Sequence, residues 1–278
     1  MPRVDINELL AAGCHFGHIT RRWNPKMKPY IFGEKNGIHI LDLRKTQSLL
    51  DVAYDEIVKI ASEGKRVLFV GTKRQGKAIM QAEATRCNEF FVVERWLGGL
   101  LTNFVTIRKS VKRLSNIVKM ETDGTFDKLT KKEKLFLLRE KAKLENVLLG
   151  IIEMSKIPGA LFLVDTKREN IAVKEAKRLG IPVFAIVDSN CDPDDIDFPI
   201  PANDDATKSI QLIAEFIADS VVEGKEIRSA KLAQEASEKM ESQFKEEKDS
   251  SSSEGKNDEK KSRRKKFVRK QTTDKTEN

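Results

Sequence analysis

The sequence predicts an α/β fold of three layers, with helices on both faces of a parallel sheet, and three features predict it. Near-continuous apolar runs that suit strands buried on both sides, RVLFV from 66, ALFLVD from 160 and PVFAIVD from 182, alternate with amphipathic helical periods. LFVGTKRQGKAI at 68–79 is echoed by LFLVDTKRENIAV at 161–173, each placing Thr-Lys-Arg directly after a strand. A segment from about 103 to 156 then breaks the alternation with two long helical periods.

The elements follow in order. DINELLAAG reads as a short helix, with Asp5 as N-cap and Gly13 as its stop. CHFGHITRRWNPKMKPYIFGEKNG, rich in Gly and Pro, is expected to be irregular. GIHILDL alternates like a strand, and TQSLLDVAYDEIVKIASEG has helical spacing up to Gly64. RVLFV, RQGKAIMQAEATRC and FFVVER give strand, helix and strand. In the inserted segment Ile107, Val111, Leu114 and Val118 form one stripe, and Leu135, Leu138, Ala142, Leu149 and Ile152 form another beyond TDGT. Two helices joined near Asp123-Gly124 predict an antiparallel coiled-coil hairpin whose outer faces carry Arg108, Lys109, Lys112, Arg113, Lys131, Lys132 and Lys134. ALFLVD, ENIAVKEAKRLG and PVFAIVD resume the alternation, and DDATKSIQLIAEFIADSVVEG closes it as a helix. The chain thus divides into a discontinuous body, 1–102 and 157–227, a hairpin, 103–156, and a charged tail, 228–278. From about 248 the composition leaves nothing to offset ordering entropy, and disorder is expected.

Charge is distributed unevenly over the 278 residues, whose formal net charge is +8. Residues 1–45 hold eight Lys and Arg against four acids, 103–156 hold thirteen against seven, and 188–205 hold seven Asp and no base. Such segregation points to positive surfaces facing a polyanion, of which nucleic acid is the commonest in cytosol. The tail adds eight bases in residues 260–270, enough to grip phosphates without reading sequence. Cys14, Cys87 and Cys191 are odd in number and far apart, which argues against a disulfide framework and for a reducing compartment. No apolar run nears the roughly 18 residues of a membrane span, and the first residues carry charges where a signal peptide would be apolar; a cytoplasmic location is expected.

VGTKRQGKAI matches the nucleotide-binding P-loop except at Ala78, which stands where a metal-binding hydroxyl belongs. Lys73, Arg74 and Gln75 also crowd the phosphate cradle, so a nucleotide pocket is disfavoured. No G-x-G-x-x-G or G-x-S-x-G is present to support a dinucleotide enzyme or a hydrolase of that type. Helix N-termini after parallel strands are anion sites, which makes Lys73, Arg74, Lys167 and Arg168 phosphate candidates. If the basic N-terminal segment folds over the strand ends, His18 and Asp188 could meet a zinc or magnesium ion. The competing reading is that His15, His18 and His39 pack or hydrogen-bond and that the aspartates of 188–205, Asp204 among them, cap loops and helices.

Three segments carry a resemblance: HFGHITRRWNPKMKPYIFGEKNGIHILDLRKT at 15–46, RWLGGLLTNFVTI at 95–107, and GIPVFAIVDSNCDPDDIDFPIPANDDATKSI at 180–210. They resemble the bacterial ribosomal small-subunit protein S-two family over about 5–227. The resemblance implies a Rossmann-like body with a protruding coiled-coil hairpin. It implies a structural, non-catalytic role in translation, bound to 16S ribosomal RNA between head and body and beside other small-subunit proteins. It also implies help in anchoring the mRNA-binding protein S-one, with no membrane and no small-molecule substrate as partner. In the matching segments it makes Arg21, Arg22, Trp23, Asn24, Lys26 and Lys28, together with Arg95 and Asn103, candidates for RNA contact, while Trp96 suits the core. No cofactor is required, and a divalent ion is permitted near His18, Asp188 and Asp205. The remaining alternatives are a P-loop-like nucleotide switch and a free RNA-binding protein that acts through its tail.

Overall fold

The computed structural model describes residues 3–235 and residue 237, so the tail expected to be disordered from 248, with its basic run, lies outside the described residues. The chain divides into a first unit, Met1–Glu226, and a second, Ile227–Asn278, of which 227–235 are helical.

The first unit opens with α1 (Ile6–Ala11), which Gly13 ends in the left-handed region at φ 75°. Asp5 occupies the N-cap in extended conformation, although its side chain caps no backbone N–H. The stretch read as irregular is more ordered than its composition suggests. It forms β1 (Phe16–Ile19), two 3-10 turns at Thr20–Arg22 and Pro25–Tyr30, and β2 (Ile31–Lys35). With β3 (Ile38–Leu41) these strands make an antiparallel sheet in the order β1-β3-β2, so GIHILDL does form a strand but in a separate sheet. The physical reason is Asn36-Gly37, both at positive φ (54° and 74°), which supplies a tight hairpin turn matched to strand twist.

α2 (Leu43–Ser62) starts where the Asp42 carboxylate accepts from the Arg44 N–H. Then come β4 (Val67–Val70), α3 (Lys77–Arg86), β5 (Phe90–Val92), α4 (Phe104–Thr122) and α5 (Lys131–Leu148). β6 (Ala160–Val164), α6 (Asn170–Leu179), β7 (Val183–Val187), β8 (Phe198–Pro201) and α7, which begins at 207, complete the unit. The main sheet is parallel throughout, in the order β5-β4-β6-β7-β8. Its last strand, FPIP, falls in the acid-rich segment 188–205, for which the sequence predicts no element. Prolines cannot donate to a ladder, yet β8 lies at the sheet edge, where the pattern is tolerated.

Strand alternation sorts the side chains into two cores. Val67, Phe69, Phe162 and Phe184 face α1, α2, α3 and α7 on one side. Leu68, Val70, Leu161 and Leu163 face α6 and the bases of α4 and α5 on the other. Helices therefore cover both faces of a parallel sheet, a Rossmann-like three-layer architecture. Chains that run out from β4 to β5 on one side and β6 on the other leave a crevice at their carboxyl ends, where such folds place ligands.

The inserted segment departs from its expected stripes. α4 buries Ile107, Val111, Leu114 and Ile117, and Val118 is exposed. In α5 the buried end is Leu148 at 1% exposure, whereas Leu149, its neighbour in the expected stripe, is 56% exposed. Leu135, Leu138 and Ala142 are also exposed; the inward face runs through Leu137, Leu144, Leu148 and Ile151.

Candidate functional site

Four strands end at one edge. β4 leads to Gly71-Thr72-Lys73, β6 to Asp165-Thr166, β7 to Asp188-Ser189 and β8 to Asn203-Asp204-Asp205. The basic N-terminal segment is tied over them. His18 N–H donates to Ser189 Oγ at 2.8 Å, and Asn24 N–H donates to the Ser189 carbonyl at 2.8 Å. Gly17 permits this approach, since a Cβ there would stand 2.9 Å from Ser189 Oγ.

The three residues named for a metal meet here. His18 Nδ1 lies 3.0 Å from Asp188 Oδ2, and Nε2 lies 3.4 Å from Asp205 Oδ2. The Asp188 hydrogen bond raises the imidazole pKa against the opposing effect of burial. Asp204, one of the acids of the 188–205 segment, is fully buried with Oδ2 unpartnered. Burial and the neighbouring Asp188 charge push its carboxyl up to about 7. His18, Asp188 and Asp204 can bring three ligand atoms within 4.8 Å of one another, as can Asp165, Cys191 and Asp204.

Lys73 completes the cluster and is a correction. Expected to face phosphate, it is buried, with Nζ 2.7 Å from Asp204 Oδ1 and 2.6 Å from Asp205 Oδ1. Burial acts to lower its pKa, but these two carboxylates outweigh it and the net shift is upward. Its charge is consumed inside the fold. The P-loop resemblance fails for the same reason: Thr72 N–H donates to the Glu169 carboxylate at 3.1 Å, and Lys77 Nζ pairs with Glu94 at 2.6 Å. The groups that would cradle a nucleotide are already bonded.

The other candidates fall into two classes. Lys26 bridges Asp192 and Asp194 at 2.8 Å each, which raises its pKa. Arg108 donates to the Ile152 and Met154 carbonyls at the foot of α4, and Arg113 pairs with Glu140 at 3.0 Å; both were expected on a free outer face. Asn24 caps the second 3-10 turn by accepting from the Lys26 N–H. By contrast Arg21, Arg22, Lys28, Arg74, Arg95, Lys109 and Lys112 are exposed and have no acidic partner among the described residues. Trp23 is partly exposed and leans on His39, with ring centroids 5.2 Å apart.

Arg95 and Asn103 border a loop held by one carboxylate. The buried Glu175 of α6 accepts through Oε1 from Trp96 Nε1 and Gly99 N–H at 3.1 and 2.7 Å. Its Oε2 accepts from Leu101 N–H and Thr102 N–H at 3.0 Å each, and from Thr102 Oγ1. Burial raises the carboxyl pKa, but these donors together outweigh it and the net shift is downward. Trp96 is thus core, as its segment implied. Asn103 precedes α4 and accepts from Thr106 Oγ1 at 2.8 Å.

The strand-final aspartates were visible in the sequence, since LFLVD and FAIVD each end an apolar run in an acid. Asp204 was one of several acids in a row, and Glu175 carries no local signal at all. No helix among the described residues is long and apolar enough to cross a membrane.

A family model described as Ribosomal protein S2 matches residues 9–224. The chain is 60% identical over 223 residues to small ribosomal subunit protein uS2 of Chloroherpeton thalassium, covering 80% of this chain and 89% of that one. It is 58% identical over 228 residues to uS2 of Chlorobium phaeobacteroides, covering 82% and 90%, respectively. With uS2 of Chlorobaculum parvum it shares 54% identity over 246 residues, covering 88% and 97%.

Proposed function

The chain belongs to the ribosomal protein S2 family, whose members are structural and not catalytic, and from that premise we propose that it binds 16S ribosomal RNA in the small ribosomal subunit of the cytoplasm. The observation that carries this reading is the partition of cations. Lys26, Lys73 and Arg113 are matched by acids and Arg108 by carbonyls, whereas Arg21, Arg22, Lys28, Arg74, Arg95, Lys109 and Lys112 are exposed without an acid partner among the described residues. Exposed guanidinium and ammonium groups on an anchored scaffold suit phosphate oxygens. The hairpin serves as a coiled-coil arm that reaches RNA beyond the body, with Asn103 at its foot. Binding between head and body of the subunit, with help in anchoring protein S-one, is supported by the family resemblance of 15–46, 95–107 and 180–210.

The acid cluster is read as the seat of a structural divalent ion. The residues fit: Asp204 Oδ2 is buried without a partner, and a histidine with carboxylates is a donor set that zinc accepts. His18, Asp188 and Asp204 would hold it, with Asp205 beside them, and it would fasten the N-terminal segment to the sheet.

The test is incorporation. Tagged chain expressed in cells is expected to sediment with purified small subunits, and free chain to bind 16S ribosomal RNA with an affinity that falls steeply as salt rises. Absence from the subunits, together with no RNA binding at low salt, would refute the reading.

A further inference from the structure

We propose that the cavity between the basic N-terminal segment and the start of α6 receives a single unpaired nucleotide of an RNA strand. The proposal deepens the RNA-binding reading above and rests on it. The cavity measures about 460 Å³ and is walled in part by Arg22, Trp23, Thr166, Lys167, Asn170 and Asn190. Its size lies in the roughly 300–1,000 Å³ range of small-ligand sites, which suits one base with its sugar and excludes a duplex.

Three chemistries converge on it. Trp23, 36% exposed, is backed by the His39 ring and so offers a supported aromatic platform for a base. For the phosphate, Arg22 and Lys167 are exposed and have no acid partner among the described residues. No side chain caps α6, which leaves its first N–H groups as further donors. The acids on the rim are already matched, Asp192 by Lys26 at 2.8 Å and Asp195 by Lys177 at 2.7 Å. For the base edge or sugar the wall offers amides rather than the Thr166 hydroxyl, which is sealed from solvent beside the Cys191 thiol. The Asn170 and Asn190 amides add both donor and acceptor capacity, as the edge of a splayed base requires.

Full-length chain would be titrated at low salt with a short single-stranded RNA and with an RNA duplex of equal charge, followed by tryptophan fluorescence. The single strand is expected to bind more tightly and to quench Trp23, the more exposed of the two tryptophans. Trp23→Ala should weaken single-strand binding roughly 5- to 150-fold, the fold-change of one stacked base, and leave duplex binding unaltered. Trp23→Phe should restore most of the loss. Lys167→Ala, at an exposed position, should lower single-strand affinity several-fold without affecting folding. Unchanged single-strand affinity in both alanine variants, with RNA binding otherwise intact, overturns the cavity proposal and leaves the RNA reading standing. No RNA binding by the unmodified chain sinks both. Equal quenching by a free nucleoside monophosphate at the concentration that saturates the RNA overturns assignment to a strand.

Discussion

Glu175 shows how one side chain can set a functional loop. Its two oxygens satisfy five donors from the segment 96–102, so neither oxygen is spare. Glu175→Gln replaces one acceptor by an NH₂ group that must face backbone donors, and a loss of about 3 kcal/mol is expected, read as a lower urea midpoint. The pH dependence follows from the direction of the shift. The folded carboxyl titrates below the ordinary value of 4.5, so its contribution is complete above that pH and is lost as acid carries the solution down through the folded value. The glutamine variant should lack that part of the acid limb, and an unchanged limb would contradict the assignment. None of this was legible from residues: Glu175 sits in an ordinary amphipathic helix, and its donors are more than seventy positions away. The strand-final Asp165 and Asp188 could be seen because the apolar run before them fixes where a parallel strand must stop. Lys73 shows the limit of the same logic. Its place after β4 was legible, but its direction was decided by Asp204 and Asp205, which only the folded β8 brings within reach.

At the scale of elements, every inner strand could be read from the sequence, because its run of four or five apolar residues is short, rich in Val, Ile and Phe, and set between helical periods. The phase of α5 could not. LFLL at 135–138 and VLLGII at 147–152 offer apolar residues to several helical faces at once, and periodicity alone does not choose among them. The choice is made by contact with α4 and the sheet, where Leu148 enters the core and Leu149 turns outward. Leu148→Ala should therefore cost about 2–4 kcal/mol and Leu149→Ala less than about 0.5 kcal/mol, measured by thermal or urea unfolding. Equal effects would restore the stripe expected from sequence. At the other end of α5, Thr130 and Glu133 form a capping box, and Thr130→Ala should cost about 1 kcal/mol. The small antiparallel sheet was missed for a different reason. Its Asn-Gly turn was present in EKNGIHI, but the Gly and Pro content around it masked β1 and β2.

In the first unit as a whole, charge is sorted by depth as well as by segment. Acids at the strand ends draw in His18, Lys26 and Lys73, and the N-terminal segment is held by the first two of these, which leaves Arg21, Arg22 and Lys28 outside. The same sorting in α4 leaves Lys109 and Lys112 exposed while Arg108 and Arg113 are engaged. A cation already matched by an acid releases few counterions when RNA arrives, whereas a free one that meets a phosphate releases nearly one. Salt dependence therefore distinguishes the two classes in a way that affinity alone does not. In plots of the logarithm of RNA affinity against that of salt, Lys109→Ala with Lys112→Ala should flatten the slope by about 1.4 to 1.8, on the basis of roughly 0.7–0.9 per lost phosphate contact. Lys26→Ala should leave the slope nearly unchanged, since its charge is spent on Asp192 and Asp194. Equal flattening by both changes would mean that the pairs at the strand ends open on the RNA, and the partition of cations would then no longer identify the binding face.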